Sequence, residues 1–250
     1  MKGLIVYEGP SRIDGAPIVI VLIGIKAKSR NSKTGHLVQS YILRADVDPV
    51  TAAKIGNDAS ICGQCEHRPT LARKTGKPPC YVNIGRGPLQ VFNAYRRGNY
   101  TRVTPGEAAA IIAGLKLRLG TYGDPFAGPV GLWEELTQYT AGHTGYSHQW
   151  KRRGFDSDRW KRLVMASADT PDDAALANLF GLRVFRVTHQ ADHQAGEITC
   201  PASAEAGKRT QCADCMLCGG TTKAARDIVI LDHAPGHQRR RVIQLQKVNA

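Results

Sequence analysis

The cysteines of this chain constrain it more than any other feature. Seven cysteines fall into a group of three and a group of four, and both groups contain Cys-x-x-Cys pairs. This spacing lets two thiolates converge on one metal from a tight turn. An odd number of cysteines without an export signal argues against a disulfide framework. The sequence therefore predicts two metal-binding segments. The first group is Cys62, Cys65 and Cys80; the second group is Cys200, Cys212, Cys215 and Cys218.

Composition and charge narrow the class of protein. The chain has 250 residues, of which 42% are apolar and 22% charged, as in ordinary globular proteins. Lys and Arg (34) outnumber Asp and Glu (21), and the net charge of +13 favours an anionic partner, nucleic acid first. The longest apolar stretch, residues 16–25, is about half of a membrane-spanning helix, and Lys26 follows it rather than a cleavage site. We expect a cytoplasmic protein without a membrane or signal segment.

The first 50 residues predict a β-hairpin. Residues 17–25 form a continuous β-branched run and residues 36–44 a mixed apolar and polar run. The polar segment between them ends in Gly35, as a turn does. We take residues 1–55 as an N-terminal hairpin region.

From residue 104 onward the pattern alternates between helix and strand. Thr104 and Glu107 form a capping box, and residues 170–173 cap a second helix that ends near residue 180. This alternation predicts a parallel sheet, open or closed into a barrel. The predicted strands are 115–121, 143–148, 162–168, 183–188, 197–202 and 227–232.

Polar residues cluster where these predicted strands end. In α/β folds the functional site lies at the carboxyl ends of the parallel strands, although loops are polar in any case. The residues in question are Tyr122, Asp124, Tyr146, His148, Ser167, Asp169, Thr188, His189, Cys200, Asp232 and His233.

The first cysteine group allows two kinds of metal site. Three thiolates can hold three irons of a [4Fe–4S] cluster and leave the fourth iron open to a substrate or cofactor. Alternatively, Cys62, Cys65, Cys80 and His67 could bind a structural zinc ion, which accepts three sulfurs and one nitrogen. The local spacing does not choose between iron and zinc.

A glycine-acid turn follows about forty residues later. The segment containing Gly120, Gly123 and Asp124 is an apolar strand that ends in Gly-Asp-Pro. It resembles the Gly-Gly-Glu-Pro segment of radical SAM enzymes, which binds the amino group of S-adenosylmethionine. Glycines permit close backbone approach, and a carboxylate suits an ammonium group.

The resemblance to the radical SAM superfamily covers about residues 60–235. More closely, the chain is similar to uncharacterised phage proteins of the gene-product-eighty-eight-like type. The motif that carries this similarity is Cys62-x-x-Cys65, Cys80-Tyr81, Arg97-x-Asn99, Arg118 and Gly123-Asp124. Two features depart from the superfamily. The three cysteines spread over 19 positions instead of forming Cys-x3-Cys-x2-Cys, and Asp124 stands where Glu is usual.

The resemblance implies a fold and a cofactor set. It implies a partial (β/α)6 TIM-like barrel over residues 56–235, with a cysteine-rich insertion at 200–220 and a basic tail at 236–250. Cys62, Cys65 and Cys80 would hold a [4Fe–4S] cluster. Gly120, Gly123, Asp124 and Ser167 would contact S-adenosylmethionine. An electron donor such as flavodoxin or ferredoxin would reduce the cluster.

The second cysteine group is a strong metal-binding signal of open identity. Its Cys-x2-Cys-x2-Cys run suits an auxiliary [4Fe–4S] cluster, and four thiolates equally suit a structural zinc. We favour the auxiliary cluster because the first group suggests iron.

The remaining features bear on the substrate. Tyr146 and His148 are candidate catalytic or base-contacting residues, although a satisfied histidine at an aromatic core edge is as ordinary. The basic triplets 151–153 and 239–241 could contact phosphates or be solvated surface charge.

These signals together predict a phage-encoded, iron–sulfur, SAM-dependent radical enzyme in the bacterial host cytoplasm. By analogy, its substrate would be a nucleotide or a nucleic-acid base that becomes hypermodified. The alternative is a non-catalytic, zinc-stabilised nucleic-acid-binding protein.

Overall fold

The computed structural model describes residues 3–26, 31–76, 80–188, 192–207, 209–222 and 224–231. The basic tail, the triplet 239–241, and His189, Asp232 and His233 lie outside the described residues. The strands are β1 (Gly3–Pro10), β2 (Pro17–Ile23), β3 (Val38–Arg44), β4 (Thr101–Arg102), β5 (Lys116–Tyr122), β6 (Gly142–Thr144), β7 (Tyr146–Ser147), β8 (Met165–Ala168), β9 (Val184–Thr188), β10 (Glu197–Thr199) and β11 (Asp227–Leu231). The helices are α1 (Pro49–Ile55), α2 (Ala59–Cys62), α3 (Pro69–Thr75), α4 (Gly87–Arg96), α5 (Pro105–Ile111), α6 (Val130–Thr137), α7 (Ser157–Trp160), α8 (Pro171–Leu179) and α9 (Cys212–Cys215).

The first sheet has the order β4-β1-β2-β3-β5-β6. β2 and β3 form the predicted antiparallel hairpin, and β1 pairs with β2 as a further antiparallel strand that the sequence analysis missed. The continuous apolar run of β2 is explained by its position, because it is covered on both faces and residues 18–22 are fully buried. β3 then pairs in parallel with β5, so one sheet joins the N-terminal region to the rest of the chain.

The second sheet is entirely parallel, in the order β10-β11-β9-β8-β7. β6 in the first sheet and β7 in the second are separated by Gly145 alone. A Cβ at Gly145 would lie 3.0 Å from the carbonyl oxygen of Leu163, so a larger residue would crowd the junction. The fold class is therefore α/β with parallel sheets, as the alternating pattern predicts.

Helix capping follows the sequence. The Thr104 hydroxyl accepts the backbone N–H of Glu107, whose side chain accepts the N–H of Thr104, so the predicted capping box at α5 is confirmed. Thr170 caps α8 by accepting the N–H of Asp173. These caps fix where each helix leaves the preceding loop.

The core lies between the sheets and their helices. Trp133 on α6 and Trp160 on α7 are fully buried, and the Trp133 ring N–H donates to the Pro125 carbonyl at 2.8 Å. This bond ties α6 to the turn after β5. No helix in the described part of the chain is long and apolar enough to cross a membrane.

Candidate metal centre

Four chain segments meet at the carboxyl ends of the parallel strands. They are the turn after β5, the end of β7, the end of β8, and the segment that follows α2. Ligands and substrates bind at this edge in open α/β sheets. The geometry there is built from hydrogen bonds that cross between the segments.

Asp124 connects these segments. Its Oδ1 accepts the Ser147 hydroxyl at 2.8 Å and the Phe126 N–H at 3.0 Å, and its Oδ2 accepts the His148 N–H at 2.8 Å. Its own N–H donates to the Ile61 carbonyl next to Cys62 at 2.6 Å. Burial raises the pKa of Asp124, against the opposing effect of its hydrogen bonds and of His148. Its carboxyl group thus holds the turn after β5 to the end of β7, and its backbone N–H holds the same turn to α2.

The glycines of the Gly-Asp-Pro turn serve the fold directly. Gly120 has φ +66°, and a Cβ there would lie 2.6 Å from the Gly123 carbonyl oxygen. Gly123 has φ +82°, and a Cβ there would lie 2.7 Å from the Cβ of Ile42. Both positions require glycine because protein atoms fill the adjacent space. Ser167, the fourth predicted cofactor contact, is buried on β8.

The first cysteine group lies beside Asp124. Cys62 ends α2, the N–H of Cys65 donates to the Cys62 carbonyl at 3.1 Å, and the N–H of Cys80 donates to the His67 carbonyl at 2.7 Å. Burial raises the pKa of Cys65 to about 11 and that of Cys80 to about 12. Burial also raises the pKa of Cys62 strongly, and the charges of the other two thiols add to this effect. The three thiols are therefore close enough for the charge of one thiolate to affect the pKa of another.

The cysteine sulfurs are spaced more widely than the ligand atoms of a preformed zinc site. In the described residues, no three cysteine sulfurs lie within 4.8 Å of one another. Four sulfurs around one tetrahedral zinc are about 3.8 Å apart, given a Zn–S bond of about 2.3 Å. A closed set of thiol ligands is thus not present at either cysteine group.

Gln149 supports the turn between Cys62 and Cys65. Its Nε2 donates to the Cys62 carbonyl at 3.0 Å. Gly63 has φ +52°, and a Cβ there would lie 2.1 Å from the Oε1 of Gln149. The glycine in the first Cys-x-x-Cys pair is required because the end of β7 packs directly against this turn.

His67 joins a group that the sequence analysis did not predict. Its Nε2 lies 3.0 Å from Oδ1 of Asp169, and Nε2 of His148 lies 3.9 Å from Oδ2 of the same carboxylate. One ligand atom from each of the three residues lies within 4.8 Å of the other two. The Sγ of Cys65 is 3.9 Å from Nε2 of His148. His67 therefore contacts an aspartate and a histidine in addition to its position near the thiols.

The rule that functional residues follow the carboxyl ends of parallel strands (the strand-end rule) could have found part of this group. It selected His148 and Asp169, while His67 was considered only as a zinc ligand with the cysteines. The missing signal was that all three side chains belong to the same edge of the sheet.

The second cysteine group packs against different parts of the chain. Cys200 follows β10, while Cys212 and Cys215 begin and end α9. The N–H of Cys212 donates to the Lys33 carbonyl at 2.9 Å, so the group packs against the loop before β3. Burial raises the pKa of Cys218 to about 12, although a hydrogen bond with Tyr146 opposes this shift.

Tyr146 and His148 face different groups of side chains. Tyr146 contacts the Cys218 thiol and packs on Phe185 with ring centroids 4.5 Å apart, whereas His148 belongs to the group with His67 and Asp169. The guanidinium carbon of Arg118 lies 5.9 Å from the centre of the Tyr146 ring. Arg118 also donates to the Tyr81 hydroxyl at 3.0 Å, next to Cys80. Arg118 and Tyr146 thus lie between the two cysteine groups.

Comparison with known proteins adds no family assignment, because no family model, curated protein or solved structure matches this chain.

Proposed function

We propose that the protein is an iron–sulfur enzyme of the radical SAM type, with a [4Fe–4S] cluster bound by Cys62, Cys65 and Cys80. One observation carries the proposal. Three partly buried thiols lie near Asp124, which follows the parallel strand β5 at the edge where α/β enzymes bind their ligands. We further propose that the strands β5, β6–β7, β8, β9, β10 and β11 form a partial (β/α)6 barrel over residues 56–235.

The donor set suits such a cluster. Three thiols leave one iron of a [4Fe–4S] cluster without a protein ligand, so that iron is open to a cofactor. At least one pair of sulfurs in the group is more than 4.8 Å apart, and a cube of four irons holds its thiolates farther apart than one zinc ion does. The buried thiols must lose their protons on metal binding, which couples the loading of this site to proton release.

The cofactors would supply the difficult chemistry, and the chain would supply orientation. When bound, the cluster and S-adenosylmethionine would supply one-electron reductive cleavage and hydrogen abstraction from the substrate. Asp124 uses three of about four lone-pair sites on protein donors, which leaves one for an ammonium group. The Asp124 hydrogen bonds also hold His148 at the end of β7, where it can face a substrate.

The proposed substrate is a nucleotide or a nucleic-acid base, since a net charge of +13 attracts polyanions. The triplet at 151–153 contributes less than its sequence suggests. Lys151 pairs with Asp173, and Arg152 donates to the Ile13 carbonyl at 2.6 Å. A small electron-transfer protein, flavodoxin or ferredoxin, is the proposed reductant.

Anaerobic purification with iron and acid-labile sulfide analysis tests the proposal, followed by EPR of the reduced protein with and without S-adenosylmethionine. We expect about eight irons per chain, with an EPR signal that changes when S-adenosylmethionine is added. Cys80→Ala should remove this change. The matched variant Cys200→Ala should lower the iron content and keep the change.

Two zinc ions per chain without iron would overturn the proposal. The protein would then be a zinc-stabilised nucleic-acid-binding protein, and its affinity for DNA or RNA should fall steeply with salt.

A further inference from the structure

We propose that His67, His148 and Asp169 form a separate, mononuclear site for a divalent first-row transition metal. This inference goes beyond the proposed cluster and does not depend on it. The three side chains come from distant parts of the sequence: the segment after α2, the end of β7, and the end of β8. The fold brings them together at the edge where the strands end.

The distances are close to those of a bound ion. Ligand atoms around a zinc ion lie about 3.0 to 3.5 Å apart, given bond lengths of about 2.1 Å. The His67 and Asp169 atoms are 3.0 Å apart, and the His148 and Asp169 atoms are 3.9 Å apart. These distances run to the two different oxygens of the carboxylate. All three ligand atoms lie within 4.8 Å of one another, so a bound ion requires the His148 ring to move closer to the other two.

The backbone around each ligand is already fixed. The His148 N–H donates to Asp124, and the His67 carbonyl accepts the N–H of Cys80. Asp169 directly precedes Thr170, the residue that caps α8. Fixed ligands lower the entropic cost of binding an ion, and such supporting contacts are typical of metal sites.

A simple ion pair explains less of this arrangement. An ion pair between His67 and Asp169 needs two residues, yet a second imidazole shares the same carboxylate. The two histidine rings meet edge to face with centroids 5.8 Å apart. A metal ion accounts for both rings because each can direct a nitrogen at it.

The donor types define the class of metal. Two imidazoles and one carboxylate suit Fe(II), Zn(II) or Co(II), whereas Mg(II) and Ca(II) prefer oxygen ligands. The three side chains are 15%, 23% and 12% exposed, so the group is open on one side. Three protein ligands leave coordination positions for water or for an oxygen atom of a substrate.

Cys65 places this site directly beside the first cysteine group. Its Sγ is 3.9 Å from Nε2 of His148. An ion here would therefore be a close neighbour of a cluster at Cys62, Cys65 and Cys80. The two sites differ in ligands, so their occupancy can be measured separately.

The test is an anaerobic titration with Co(II) of chelator-treated, reduced protein, with bound cobalt counted after gel filtration. Cys62→Ser/Cys80→Ser serves as the starting variant, because it lacks two cluster ligands and keeps all three proposed ligands. Adding Asp169→Asn should remove one cobalt per chain or weaken its binding by at least about 100-fold.

Asp192→Asn is the matched control. Asp192 lies four residues after the end of β9, and it accepts a hydrogen bond from the Thr188 hydroxyl at 2.6 Å. This variant should bind as much cobalt as the starting variant. The His148→Gln variant provides a second measurement if Asp169→Asn fails to fold.

Equal cobalt stoichiometry and affinity in Asp169→Asn and Asp192→Asn would overturn the metal site. That result would leave the cluster proposal standing, since the cluster is tested by iron, sulfide and EPR. Conversely, the protein could bind no cluster and still lose one cobalt per chain on Asp169→Asn. That result would support this metal site and overturn the cluster proposal.

Discussion

The two cysteine groups share their Cys-x-x-Cys spacing and differ in almost everything around them. The first group lies where parallel strands end, beside Asp124 and the two imidazoles of His67 and His148. The second group packs through backbone hydrogen bonds against the loop before β3, beside an aromatic side chain and an arginine. Spacing therefore predicts metal binding in both, whereas the surroundings separate a candidate reaction site from a supporting one.

The largest expected difference between the two groups appears when one thiol is removed from each. Cys80→Ala should abolish cleavage of S-adenosylmethionine, because the first group would lose one of its three ligands. Cys200→Ala should leave cleavage detectable and lower only the metal content. Chromatographic measurement of 5′-deoxyadenosine under reducing conditions checks both. Equal loss in the two variants would show that the groups act as one unit.

A buried ion pair near the second group gives the next largest effect. Arg186 on β9 contacts Glu197 on β10, with the side chains 1% and 3% exposed and an Nε–Oε1 distance of 2.6 Å. Glu197→Gln should lower the free energy of unfolding by about 3 kcal/mol, because the buried Arg186 would keep only its longer ion pair with Asp192. Denaturant unfolding at neutral pH measures this, with the exposed pair Lys161–Asp158 as the control through Asp158→Asn.

The same pair gives a pH dependence. Burial opposes ionisation of Glu197, but the hydrogen bonds from Arg186 and the Gln194 N–H together with the nearby positive charges leave the pKa of Glu197 below its ordinary value. The stabilisation is therefore complete above about pH 4.3 and is lost as the pH falls through the lowered pKa. Glu197→Gln should therefore remove this loss of stability at low pH from a plot of the free energy of unfolding against pH.

Asp124→Asn should have a smaller effect, confined to the first group. An amide cannot accept all three bonds that the carboxylate accepts, so about 1 to 3 kcal/mol of stability should be lost. Metal content at the first group should fall while that of the second stays constant. Thermal unfolding and metal analysis of single-group variants measure the two effects. A uniform loss of metal from both groups would contradict the local role of Asp124.

Tyr146→Phe should have the smallest effect and should act on the second group. The change removes a hydroxyl that contacts the Cys218 thiol and leaves the ring on Phe185. The stability cost should be about 1 kcal/mol. If a cluster is bound there, its reduction potential should shift because hydrogen bonds to sulfur tune it. If voltammetry instead showed a shift in the reduction potential of a cluster at the first group, Tyr146 would act on the first group and not on the second.

The sequence predicts the parallel part of this fold well. Capping residues and apolar runs give α5, α8 and β5 to β9 to within a few residues, because both signals are local. β1 and β4 were missed, since β1 mixes buried and exposed residues and β4 has only two. The helices around the first cysteine group, α1 to α4, were also not predicted.

The site was predicted only in part, for a physical reason. The strand-end rule identifies residues at one edge of the sheet, but it does not determine which side chains face each other. Tyr146 and His148 are two residues apart and would share a face of a continuous strand, but β7 ends at Ser147 and His148 has φ −88° and ψ −4°. The chain turns there, so the two side chains face different groups. His67 meets Asp169 only because the segment after α2 folds back over the strand ends, and no short pattern records that.

Gly145 connects the second cysteine group to the chain segment that leads to His148, beside the first group. Its N–H donates to the Cys218 carbonyl at 3.0 Å, and its carbonyl accepts the N–H of Met165. Three residues later the same chain presents His148. The second group thus clamps the strand that carries a proposed ligand. If the second group binds a metal, stripping that metal should speed amide hydrogen exchange at residues 145–149, so the second group would stiffen the segment that carries His148.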